Sequence, residues 1–210
     1  LVFAPGEKFR YSNSNYVLLG RIIEQVSGQS YEDYLEENIF SPLGLDNSGY
    51  DHPETVLENR AEGYLNIGGE IYNSSYIDTT FPNAAGALYS TVGDLHKWYL
   101  ALTSGDVVSP EIVKEATSAQ VGNYGDGFME ERQWGYRRIY HGGTVNGFKS
   151  MINIFPEKDV AVIILSNLET TQIERISGDI TAIVFGEDYE IPHPEKFITI
   201  EGETLESYSG

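Results

Sequence analysis

Apolar positions recur at two spacings along the chain, and the switch between them divides it. Val17, Leu18, Ile22 and Val26 repeat at helical intervals between a cap at Asn13 or Ser14 and a stop at Gly28. A second helix follows from a Ser30 cap, with Asp33 three residues on and a stripe of Tyr31, Tyr34, Leu35 and Ile39 ending at Pro42 and Gly44. Residues 44–85 show no period beyond a short strand pair around Gly68-Gly69, and so long a connection is often functional. Thr91 and Asp94 open a third helix that runs through Leu95, Trp98, Tyr99 and Leu102 to Gly105. Ser109-Pro110-Glu111 opens a fourth.

Beyond residue 130 the spacing becomes that of strands. Residues 133–140, 148–155 and 160–167 read as strands, the last two joined by the tight turn Pro156-Glu157-Lys158-Asp159 and therefore antiparallel. Thr171, with Glu174 three residues on, caps a last helix whose Ile173, Ile176, Ile180 and Val184 share a face, and Gly186 ends it. Helical residues 91–120, antiparallel strands over 133–167 and a covering helix at 171–186 together predict an α+β fold.

Composition narrows the chemistry. The 210 residues contain no cysteine, which excludes disulfides, thiolate catalysis and sulfur-ligated metals. Thirteen basic against 32 acidic residues give a net charge of −19, so nucleic acid and anionic lipid are poor partners. A hydrophobic content of 40% is nevertheless too high for a disordered acidic tail. The longest apolar run, Val160 to Leu165, is too short to span a bilayer. The charge is uneven: residues 121–168 hold five groups of each sign. This fits a pocket for an anionic ligand, or simply ordinary solvation of helix faces elsewhere.

The histidines at 52, 96, 141 and 193 have no metal-ligand spacing, and no metal or cofactor is expected. Gly125-Asp126-Gly127 lacks the third glycine of a dinucleotide loop and reads as a turn, and no G-x-S-x-G occurs. Two segments remain. In Tyr11-Ser12-Asn13, at a helix start, the helix dipole favours a phenolate, which beside a lysine could serve as a general base. Asn13 could hold a substrate amide. The same residues fit an aromatic packed on a helix end with Asn13 as its cap. In His141-Gly142-Gly143-Thr144, between two predicted strands, the bare glycines admit a ligand backbone, and an N–H could serve an oxyanion. A Gly-Gly bulge beside a half-exposed histidine is the plain alternative.

Four blocks in order then carry a resemblance. They are Tyr11-Ser12-Asn13 running into Tyr16-Val17-Leu18-Leu19-Gly20, Ile39-Phe40-Ser41-Pro42-Leu43-Gly44-Leu45, the stretch from Ala85-Gly86-Ala87-Leu88-Tyr89-Ser90 through Thr91 to Leu95, and His141-Gly142-Gly143. Over about residues 3–190 the chain resembles the serine β-lactamase-related family: class C β-lactamases, D-alanyl-D-alanine carboxypeptidases and related esterases. The resemblance implies a β-lactamase/transpeptidase-like fold, incomplete at the N-terminus, over residues 1–190. Residues 191–210 would form a linker and the start of a β-rich domain.

Of the family motifs S-x-x-K, Y-x-N and K/H-x-G, the resemblance makes Tyr11 the general base and Asn13 the substrate-amide contact. It places His141 in the basic position of the third motif, with Gly142 and Gly143 behind it. Thr144 N–H becomes half of the oxyanion hole, and its hydroxyl a contact for a substrate carboxylate. No serine has lysine three residues on, so the nucleophile and its lysine are expected in a preceding segment of the same protein. The implied activity is acyl-enzyme hydrolysis of a D-Ala-D-Ala peptide, a β-lactam or an ester, with the tyrosine-rich stretch 44–85 (Tyr50, Tyr64, Tyr72, Tyr76) as selector. The implied place is a bacterial cell envelope or the cell exterior, and the 210 residues alone are expected to be inactive. A non-catalytic module that binds peptidoglycan peptides or a protein partner is the alternative.

Overall fold

Ser12, in extended conformation, stands at the N-cap of α1 (Asn13–Ser27), and its side chain makes no capping bond. Neither Asn13 nor Ser14 is the cap; both are already helical, which leaves the Asn13 amide exposed at the helix start. Gly28 closes α1 at φ 74°, a left-handed turn that suits glycine. The computed structural model describes residues 2–4 and 6–191, so the expectation for 191–210 lies outside the described residues except at Ile191.

Ser30 caps α2 (Tyr31–Leu35) by accepting from the Asp33 N–H. The expected single helix then changes pitch in a π-helical turn over Glu36–Phe40 and ends in α3 (Ser41–Leu43) at Gly44. The long connection is more ordered than its lack of period implied. It holds β1 (Gly49–Tyr50) and a hairpin of β2 (Tyr64–Ile67) and β3 (Glu70–Asn73) around Gly68-Gly69. After a 3₁₀ turn at Asn83–Ala85 comes β4 (Leu88–Tyr89), which pairs back antiparallel onto β1.

Thr91 caps α4 (Val92–Ser104) through the Asp94 N–H, and Ser109 caps α5 (Pro110–Ala116) through the Ile112 N–H. The main sheet is fully antiparallel in the order β5 (Met129–Gln133), β6 (Tyr136–Val145), β7 (Phe148–Phe155), β8 (Val160–Ser166). The strand expected at 133–140 is thus a hairpin, turned by Trp134 (φ 49°) and Gly135 (φ 82°), both in the left-handed region that two-residue hairpin loops require. The His-Gly-Gly-Thr segment lies inside β6 rather than between strands, because cross-strand pairing with β7 continues from Ile139 to Val145.

α6 (Ile173–Phe185) covers the sheet, but Gln172 stands at its N-cap and Thr171 is not the cap. The Thr171 hydroxyl is bonded to Ser166 Oγ instead, at 2.7 Å. The face that α6 buries is also rotated from the expected one. Ile173, Ser177, Thr181 and Ala182 are buried, with Asn153 of β7 hydrogen-bonded to Ser177, while Ile176, Ile180 and Val184 remain partly exposed.

Between sheet and helices, Tyr99 and Leu102 of α4 pack on Ile139 and Ile154. A second cluster joins Leu35, Phe40 and Leu45. Beside it a cavity of about 380 Å³ lies open, walled by Phe40, Leu88, Leu95, Trp98, Ser150 and Leu165. The apolar stripe of α1 stays outside the core. Leu18, Leu19 and Ile22 are half or more exposed and Val26 is 83% exposed. α1 packs instead through Gly20, on the 3₁₀ turn. Among the described residues no helix is long and apolar enough to cross a membrane.

Candidate active site

Strand β6 runs past the start of α1, so two side chains far apart in sequence become neighbours. The rings of Tyr11 and His141 lie 6.0 Å apart between centroids. Tyr11 also meets Tyr124 edge-on at 5.8 Å and Tyr16 at 6.3 Å, and Phe9 covers Tyr124 at 5.2 Å. The Tyr124 hydroxyl is bonded to that of Tyr16 at 2.7 Å and to His141 Nε2 at 3.1 Å. His141 Nδ1 lies 2.7 Å from the Gly142 carbonyl.

Composition and spacing do not single out Tyr124, whose partners come only from tertiary contact. Gly125 follows it, and a Cβ there would stand 2.4 Å from the Ala116 carbonyl oxygen. The Gly125-Asp126-Gly127 segment is indeed a turn, and its close packing fixes the Tyr124 backbone under the site.

Tyr11 is 48% exposed. Partial burial, and Tyr16 beside it, push its hydroxyl above the ordinary value. No cation–π contact or ion pair among the described residues brings a cation to it. The expected phenolate is therefore not favoured by the described residues alone. Burial first, then the bond to Tyr16, raises Tyr124 much further.

The glycines leave the middle of β6 bare. A Cβ on Gly143 would meet Ser150 Oγ at 2.8 Å, and one on Gly142 would meet Met151 Cε at 3.1 Å. Pairing with β5 stops at Tyr140, so residues 141–145 have no ladder partner on the side away from β7 among the described residues. An open backbone edge thus runs beside the Tyr11–His141 pair. Strand alternation puts His141 and Gly143 on one face and Thr144 on the other, with Lys149 and Asn153. The Thr144 hydroxyl accordingly does not share the face of His141, whereas its backbone N–H is unaffected by that alternation.

The tyrosines of the 44–85 stretch are not gathered here. Tyr50 packs on His52, Tyr64 bonds by its backbone to Asn167 and Glu169, and Tyr72 donates to Glu70. Among the described residues no three side chains are grouped to ligate a metal.

A protein-family profile described as Beta-lactamase matches residues 1–182. The chain belongs to this family. The mitochondrial serine beta-lactamase-like protein LACTB of Mus musculus is 39% identical over 106 residues, covering 50% of this chain and 19% of that protein. The octameric penicillin-binding protein homologue from Pyrococcus abyssi superimposes with a TM-score of 0.78 at 31% identity, over 89% of this chain and 44% of its own. A D-amino acid amidase from Ochrobactrum anthropi SV3, complexed with L-phenylalanine, gives a TM-score of 0.76 at 25% identity, over 88% and 59%. The fold is β-lactamase/transpeptidase-like, with helices and antiparallel sheets mixed. The matched region spans less than two thirds of each of these relatives.

Proposed function

We propose that the chain is part of a penicillin-binding-protein-like serine hydrolase acting through an acyl-enzyme. The observation that carries this is the meeting of Tyr11 and His141 beside an unpaired strand edge. In the reaction, a serine Oγ from a preceding segment bonds to the substrate carbonyl carbon as Tyr11 Oη takes its proton. The proton then passes to the leaving nitrogen or oxygen as that bond breaks, and water later releases the acyl group. Asn13 holds the substrate amide, residues 141–145 pair with its backbone, and Thr144 N–H donates to the oxyanion. D-Ala peptides, β-lactams and simple esters all fit this chemistry, and the cell envelope is the compartment that suits it.

The raised Tyr11 hydroxyl supports assigning the S-x-x-K lysine to the same preceding segment. A cation there would lower it toward a base's working range. The same segment would cover the exposed stripe of α1 and fill the cavity beside Trp98. Without it, the 210 residues are inactive.

Fluorescent penicillin, nitrocefin, a D-Ala-D-Ala peptide and a nitrophenyl ester test this on the full-length protein. The expected result is turnover of at least one, with an acyl adduct on a serine outside residues 1–210. Y11F should slow acylation by about 10²-fold or more, the usual scale for a general base. Acylation of the isolated 210 residues would overturn the assignment. Peptide binding by the full-length protein without any acyl adduct would move the function to recognition alone.

A further inference from the structure

The hydrogen bonds around His141 have a direction. A carbonyl oxygen only accepts, so the 2.7 Å contact between Nδ1 and Gly142 O places the proton on Nδ1. In the neutral ring Nε2 offers a lone pair, and the Tyr124 hydroxyl 3.1 Å away is placed to donate to it. With its single proton committed, Tyr124 Oη accepts from the Tyr16 hydroxyl at 2.7 Å. The chain of donation therefore runs Tyr16 to Tyr124 to His141 to Gly142. Both ring nitrogens are engaged within the protein, and neither is free for a substrate.

We infer that Tyr124 is a positioning residue of this site: its hydroxyl clamps Nε2 of His141 and holds the imidazole beside Tyr11, with Tyr16 orienting Tyr124 in turn. The inference takes its catalytic meaning from the hydrolase function proposed above, while the bonding itself is independent of any substrate. The clamp stands on a rigid base. Tyr124 is buried, its carbonyl accepts from the Gln120 N–H at 2.9 Å, and the Gly125 N–H is bonded to Phe128 O at 2.8 Å. Gly125 is also packed too closely on Ala116 and Ser118 for any side chain. A buried hydroxyl on so fixed a backbone has little freedom to seek another partner. His141 thus acts on Tyr11 as an oriented neighbour and not as a second proton acceptor.

Nitrogen NMR on the full-length protein with labelled histidines tests this, with H141Q identifying the signals. In the parent protein His141 should be the Nδ1–H tautomer, with a slowly exchanging tyrosine hydroxyl correlated to Nε2. Y124F should move the Nε2 signal toward the position of an unbonded lone pair, whereas Y16F, which removes a bond one step further away, should move it less. An Nε2–H tautomer in the parent, or equal shifts in Y124F and Y16F, overturns the clamp. The parent spectrum decides the bonding even if Y124F does not fold.

In turnover, Y124F should acylate about tenfold or more slowly at unchanged KM, the scale of a misplaced catalytic ring. An unchanged rate with the ring released overturns the positioning role. Absence of acylation in the parent protein overturns the hydrolase function instead, and leaves the clamp to be judged by its spectrum.

Discussion

Asp94 is 2% exposed and paired with Lys97. Burial opposes its charge, but the Asn47 N–H at 2.7 Å, the Lys97 ammonium at 3.2 Å and the Ser48 hydroxyl at 3.1 Å outweigh burial and hold the carboxyl below its ordinary value. D94A leaves those donors without their acceptor and should cost about 2–4 kcal/mol in urea unfolding. Since the folded value is the lower one, the stabilisation is complete above the unfolded value near 4. It is lost as pH falls through the folded value. A pH series of the parent and D94A should therefore converge in acid and diverge toward neutrality. Half of this was legible in the sequence, where Asp94 stands as partner to the Thr91 cap. Its backbone N–H does fill that role, but its carboxylate reaches across to Asn47 in a distant loop, which no local spacing encodes. Tyr124 escaped for the same reason, since only tertiary contact gives it His141.

At the scale of elements, the strongest constraint is the approach of α1 to the 3₁₀ turn at Asn83–Ala85. A Cβ on Gly20 would lie 2.6 Å from Ala84 Cβ. G20A gains about 1 kcal/mol of helix propensity but drives two backbones apart, which typically costs about 1–3 kcal/mol. The balance should be a net loss of stability by thermal unfolding, and slower acylation in the full-length protein, because α1 carries Asn13 and follows Tyr11. Most element identities were legible: the Ser30, Thr91 and Ser109 caps, the Gly28 and Gly186 stops and the Gly68-Gly69 hairpin all act through neighbours a few residues away. The failures involved competition between local and distant partners. Thr171 looks like a cap but bonds Ser166, and Gly142-Gly143 looks like a break but is held in register by β7.

At the scale of the whole molecule, hydrophobic period and burial part company. Leu18, Ile22 and Val26 follow the helical repeat well enough to be expected in a core, yet they face outward together with Leu19, as do Ile180 and Val184 of α6. Periodicity reports that a face needs a partner, not that the partner belongs to these 210 residues. The isolated chain should therefore bind a hydrophobic dye and self-associate at micromolar concentration by light scattering. The double substitution L18K/I22K should restore the monomer without loss of helix signal in circular dichroism. The family and its α+β fold were legible because they depend on the order of short blocks, which does not require every apolar face to find its partner.

The two tryptophans stand in very different surroundings. Trp134 lies at the exposed β5–β6 hairpin turn, packed edge-on against Phe185, and Trp98 forms part of the wall of the open cavity. In W134F the remaining indole would be a natural fluorophore whose emission tracks the wetness of that cavity. A blue shift on mixing with the preceding segment proposed above, followed in time, would measure how fast the two associate.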